Sequence, residues 1–157
     1  AGTGDVRVFV RDAFARDEHD AVLQAVDAVV GAGATEVVFD DTGADANPLT
    51  VRDRVQDVAA RTHPARASFR LRDHAGVGMA NALTALKSGA RSFHATLGGV
   101  DGTIPAEDLL YLFSLLEVEC DVDRDLVRTA SAELAQAWGD LPARTSELPD
   151  PRPEERA

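Results

Sequence analysis

The stretch Phe69 to Gly99, FRLRDHAGVGMANALTALKSGARSFHATLGG, constrains the fold more than any other part of this chain. With its approach it reads as a strand over Ala67–Arg72, a helix over Val77–Lys87 closed by Ser88-Gly89, and a strand over Arg91–Leu97. A helix of that length between two strands is a crossover, and crossovers join parallel strands with a right-handed turn. The same rhythm runs upstream. Asp5–Val10 (DVRVFV) is a short alternating strand. Asp17–Val30 carries Ala21, Val22, Ala25, Val26, Val29 and Val30 at helical spacing and stops at Gly31 and Gly33. Glu36–Phe39 (EVVF) is a compact buried strand, Asp40–Pro48 a loop, and Leu49–Arg61 a helix with Val51, Val55 and Val58 on one face; His63-Pro64 breaks it. Pro105–Leu116 and Asp123–Trp138 close the series as two helices.

The order β-α-β-α-β-α-β implies an α/β fold with a parallel sheet. A doubly wound open sheet and part of a (β/α)8 barrel both fit that pattern. A closed barrel takes ~250 residues, and this chain has 157. Four βα units plus the C-terminal helices therefore make half a barrel. The expected division is one domain over residues 1–140, followed by a proline-rich and flexible tail over residues 141–157.

Hydrophobic residues make up 45% of the chain, yet no stretch approaches a membrane span and the first residues do not form a signal peptide. The one cysteine, Cys120, excludes an internal disulfide, and no Cys/His spacing suggests a zinc site. The expected location is the cytoplasm. The net charge of −11 argues against nucleic acid or an anionic membrane as partner. Lys87 is the sole lysine, and arginine supplies the other 15 of the 16 basic residues.

Several segments fall in order at the spacing of one family. Glu36-Val37-Val38-Phe39-Asp40-Asp41-Thr42 leads to Pro48 at the next helix. Gly76, Ala80-Asn81, Leu83, Ala85-Leu86 and Gly89 follow the pattern G-x-x-x-A-N-x-L-x-A-L-x-x-G. Gly98-Gly99 forms a glycine turn, and Pro105-Ala106-Glu107-Asp108-Leu109-Leu110-Tyr111-Leu112 opens the next helix. In these segments the chain resembles the HMG-CoA lyase family, also called the DRE-TIM metallolyases or pyruvate-carboxyltransferase-like barrels, over the C-terminal half of the barrel. The resemblance implies a TIM-barrel fold and carbon–carbon bond cleavage or acyl-CoA condensation at a divalent metal. In the family that metal is held by a first-strand aspartate, by a His-x-His pair on the seventh strand and, in the lyases, by an asparagine after the eighth.

The departures fall on the same site. The His-x-His positions are Arg70 and Arg72, and a guanidinium has no lone pair for a metal. The loop that carries a catalytic cysteine in the lyases is reduced to Val100-Asp101-Gly102-Thr103-Ile104. The expectation is that the family's divalent metal is lost and that no other cofactor takes its place. Arg70 and Arg72, two apart on a strand, face the same way. They either clamp a carboxylate or phosphate, as of a carboxylate or acyl-CoA ligand, or pair with Asp41 or Asp73. Asp41 and Thr42 match a family position near substrate, and a strand-end Asp serves equally as a helix cap. His94 and His74 are general acid–base candidates by type or structural histidines. Asn81 is read as packing or bonding within its own helix, and Gly98, Gly99 and Gly102 as a weak anion cradle.

Two functions compete. One is a divergent relative acting as a ligand-binding or partner subunit, either self-associating or joined by a companion chain that completes the barrel. The other is an active lyase or acyl-CoA-condensing enzyme of the HMG-CoA lyase or isopropylmalate synthase type, completed by another chain.

Overall fold

The computed structural model describes residues 4–139, and the expected tail over residues 141–157 lies outside them. Four strands and five helices alternate: β1 (Arg7–Val10), α1 (His19–Gly31), β2 (Glu36–Asp40), α2 (Pro48–Arg61), β3 (Arg66–Arg70), α3 (Gly78–Lys87), β4 (Phe93–His94), α4 (Ala106–Leu115) and α5 (Arg124–Trp138). The chain divides into two compact units, at His94 and Ala95. Among the described residues no helix is long and apolar enough to cross a membrane.

In the first unit every strand pair is parallel and the spatial order is β1-β2-β3-β4. A doubly wound sheet reverses its order part-way, whereas a barrel advances strand by strand in one direction. This order selects the partial barrel from the two folds the sequence allows. Curvature agrees. The outer strands of a flat four-stranded sheet stand about 14 Å apart, yet the rings of Phe9 on β1 and His94 on β4 meet edge to face, with centroids 5.8 Å apart.

The strands alternate faces as the pleat requires. Val37, Phe39 and Phe69 point to the helical layer, where Val22, Val26, Val51, Val55, Val58, Ala82 and Ala85 bury against them, and Phe39 stacks on Phe69. Arg7, Phe9, Glu36, Asp40, Ser68, Arg70 and His94 belong to the opposite, concave face. Local chemistry sets the helix starts. Asn47 caps α2 in a reciprocal box with Thr50, with Pro48 at the first helical position. Asp73 Oδ1 accepts the Gly78 N–H, and a Cβ on Gly78 would stand 2.7 Å from the Asp73 Cα, so only glycine fits there.

All four strands differ from the sequence reading at an end; β1 starts at Arg7 rather than Asp5 and β2 runs to Asp40 rather than Phe39, and the other two differences reach the site. β3 covers Arg66–Arg70 rather than Ala67–Arg72, which places Arg72 after the strand. β4 covers only Phe93–His94 rather than Arg91–Leu97. Downstream of it the chain turns at Leu97–Gly99, where Gly98 takes φ +63°, a left-handed conformation no strand continues through.

In the second unit, α4 and α5 pack together beside the Leu97–Ile104 loop. Pro105 forms a parallel bridge with Thr96, and the Ala106 N–H donates to the Thr96 carbonyl at 2.9 Å. Glu107, 1% exposed, accepts the Gly98 N–H on both oxygens, at 2.9 and 3.0 Å, and also the Ser131 hydroxyl. The glycine loop is no anion cradle. The N–H of Gly98 goes to Glu107, that of Gly99 to Thr96 and that of Gly102 to Gly99.

Candidate functional site

In α/β barrels the chemistry sits at the carboxyl ends of the strands. Here those ends bring together Asp40, Asp41 and Thr42 after β2 and Arg70 and Arg72 after β3. Arg70 Nη1 reaches both oxygens of Asp40, at 3.2 and 3.1 Å, and Asp40 is 5% exposed. Arg70 thus meets Asp40, its partner in the strand register and a carboxylate the sequence reading did not name for it.

Asp41 is buried, and its carboxylate accepts two backbone N–H groups, Ala46 at 3.0 Å on one oxygen and Arg72 at 3.3 Å on the other. It caps no helix, since Asn47 does that. It stitches the loop after β2 to the end of β3. Burial pushes its carboxyl above the usual range. The backbone N–H groups of Ala46, Arg72 and Asp45 oppose that shift, and the Asp45 charge adds to it. Thr42 Oγ1 is buried without a hydrogen-bond partner among the described residues. Asn81, fully buried in α3, does not bond within its helix. Its Nδ2 donates to the Ala46 carbonyl at 3.0 Å, fixing the loop that carries Asp41 and Thr42.

The two histidines make no contact with the Asp40–Arg70 pair in the hydrogen bonds they form. His74 sits exposed in the turn before α3, with no side-chain partner among the described residues. His94 Nε2 meets Glu36 Oε1 at 3.0 Å. His94 is the register partner of Arg70 on β4, yet its ring turns to Glu36 at the head of β2, about 13 Å along the strand from Asp40 at its end. The contacts there are organised by Glu36, a residue the sequence reading passed over inside an apolar strand. Glu36 also accepts Arg7 Nε at 2.5 Å and the Ser68 hydroxyl at 2.5 Å. One carboxylate therefore takes donors from β1, β3 and β4 while sitting on β2. Burial alone raises its pKa. The bonds from Ser68, His94 and Arg7, with the charge of Arg7, outweigh that and bring it down to about 2. The available signal was the acid at the first position of EVVF, sharing its face with Arg7 of the alternating strand before it.

These residues do not fit the divalent metal that the resemblance implies. The two positions carry guanidinium groups, and among the described residues no group of three His, Cys, Asp or Glu lies close enough to hold an ion.

The comparisons with known proteins place this geometry. Residues 2–133 match the model of the HMGL-like family. An (R)-citramalyl-CoA lyase of Chloroflexus aurantiacus is 34% identical over 131 residues, covering 73% of this chain and 39% of that protein. A hydroxymethylglutaryl-CoA lyase of Bacillus subtilis is 24% identical, covering 82% of this chain and 46% of that one. Among solved structures, an HMG-CoA lyase from Acinetobacter baumannii in complex with coenzyme A and 3-methylmalate superposes with a TM-score of 0.82 at 23% identity, over 96% of this chain and 54% of that one. The chain thus spans about half the length of the relatives it matches. From the family match and the four strands advancing in barrel order, the chain belongs to the HMGL-like family as a partial TIM barrel.

Proposed function

We propose that this chain is a metal-independent member of the family, a ligand-binding or partner subunit that does not perform metal-dependent carbon–carbon cleavage. The observation that carries the reading is the Asp40–Arg70 pair at the strand ends. Where the family offers imidazole to a cation, this chain supplies a cation of its own, already neutralised by a buried carboxylate. A second cation there would face the charge of Arg70 with no neutral donor to hold it. A ligand suited to the site is anionic, a carboxylate or an acyl-CoA-like thioester. The open edges of β1 and β4 suit a companion half-barrel or a second copy of the chain.

The test is incubation with Mn²⁺ and either citramalyl-CoA or hydroxymethylglutaryl-CoA, followed by product analysis and native mass spectrometry. The expected result is no thioester cleavage and no stoichiometric metal. Metal-dependent turnover overturns the proposal.

A second reading, an active lyase completed by another chain, draws on the Glu36–His94 contact, since a carboxylate that holds an imidazole by one nitrogen leaves the other for proton transfer. Turnover that appears only with a companion chain, and disappears in His94→Gln, supports it.

A further inference from the structure

We propose that the groove between α4 and α5 in the second unit receives a basic amphipathic helix of a partner protein. The groove is a cavity of about 590 Å³ at the turn between the two helices, with Leu110, Phe113, Val118 and Val122 among its walls. Its rim is acidic. Glu117, Glu119 and Asp121 line it, and their carboxylates have no hydrogen bond or ion pair among the described residues. Asp123 and Asp125 stand on the same rim but are already engaged, the first as the cap of α5 and the second with Arg128. Arg124, stacked over Tyr111 at 5.0 Å, closes the floor. Apolar surface continues outward, with Val122 53% and Leu126 69% exposed.

Charge and shape choose the occupant. Nucleic acid and anionic lipid are repelled by the three uncommitted carboxylates. A purely apolar partner would strip water from them and return no hydrogen bond. A helix with Leu at i, i+3 and i+4 and Arg or Lys on its flanks fills the centre and pairs the rim.

The inference rests on the partner-subunit reading, and the chain carries its own reporter. Cys120 is the one cysteine of the sequence, is exposed, and lies in the groove wall. The experiment follows iodoacetamide alkylation of Cys120 in the full chain with a short synthetic Leu/Arg amphipathic helix. Bound peptide at about ten times its dissociation constant slows alkylation about tenfold. An Arg/Ser peptide of equal charge protects far less, and Glu119→Lys with Asp121→Lys abolishes protection. Equal protection by the Arg/Ser peptide, no protection at all, or protection that grows with protein concentration without peptide overturns the proposal; the last assigns the groove to a second copy. These failures are separable from the failure of the metal-independent reading, which only thioester turnover with Mn²⁺ reports.

Discussion

Two charged clusters lie on the concave face of the same sheet, and they are tied differently. At the carboxyl ends, Arg70 meets Asp40 across adjacent strands, β3 to β2. At the amino end of β2, Glu36 collects Arg7, Ser68 and His94, so that four strands share one carboxylate. The first cluster stands where the resemblance places a metal centre. The second does what hydrophobic side chains do in most barrel interiors, which is to hold the strands at their curvature. A polar hub bridging β1 to β4 is one way to hold the described sheet at that curvature.

The comparison is broken most directly at its larger member. Glu36→Ala removes the acceptor shared by Ser68, His94 and Arg7, of which Arg7, its side chain 54% exposed, returns to solvent. The expected loss is about 3–4 kcal/mol of unfolding free energy, about 1.5 for each of the bonds from Ser68 and His94 to the charged acceptor and less for the half-exposed Arg7, read by urea denaturation. A cost below that of Arg70→Ala refutes the hub.

Arg70→Ala leaves Asp40 buried without this partner on an adjacent strand. The expected loss is about 2–3 kcal/mol. Asp40→Leu with Arg70→Met should recover most of it, since an apolar pair of similar volume often matches a buried ion pair. No such recovery is expected when Glu36 and His94 are replaced together, because Arg7 and Ser68 still face the site.

Acid separates the clusters further. The Glu36 carboxyl, at about 2 in the fold against 4.5 unperturbed, favours the folded state fully above 4.5, and that contribution is lost as pH falls toward 2. Asp41 acts with the opposite sign. Its raised pKa means that the folded state gains stability as pH falls through that value. Glu36→Gln should therefore flatten the acid limb of the stability curve between pH 4.5 and 2. An unchanged limb in thermal melts over that window removes Glu36 as its source.

What the sequence made legible follows from what it repeats. Apolar spacing and glycine stops located every helix, because Val51, Val55 and Val58 can share a face only if the helix forms. The G-x-x-x-A-N pattern brought the family and, with it, the half-barrel. Strand ends were less legible. The truncation of β4 depends on Gly98 at positive φ, a tertiary choice held by Glu107 nine residues later. The site was legible in its residue types but not in its pairing. Arg70 chose Asp40 by strand register, and register is set by neighbours rather than by local sequence. Glu36 escaped notice because a charged residue heading an apolar run looks like a strand boundary until its partners from three other strands are known.

Asn81→Ala tests how the Asp41–Thr42 loop is held. Losing the amide leaves the buried Ala46 carbonyl without its donor, an expected cost of about 1–3 kcal/mol. Hydrogen exchange should rise across residues 41–47 while β2 stays protected. Uniform loss of protection through β2 and β3 would mean that Asn81 supports the sheet rather than the loop.

The smallest expected effect on stability belongs to Thr42→Val, and it bears most closely on what the strand-end cluster is for. Thr42 Oγ1 is buried without a partner among the described residues. Replacing a hydroxyl that makes no bond with a methyl of similar shape removes a desolvation penalty. The folded chain should be unchanged or stabilised by up to about 1 kcal/mol. Should an anionic ligand of the Asp40–Arg70 end be found, Thr42→Val is expected to weaken it about tenfold at constant stability, consistent with one lost hydrogen bond to a charged group. Isothermal titration of the wild-type and variant chains with that ligand reads the difference. Equal affinities would make Thr42 a packing residue and would leave the strand-end cluster, like the Glu36 hub, a device of the sheet alone.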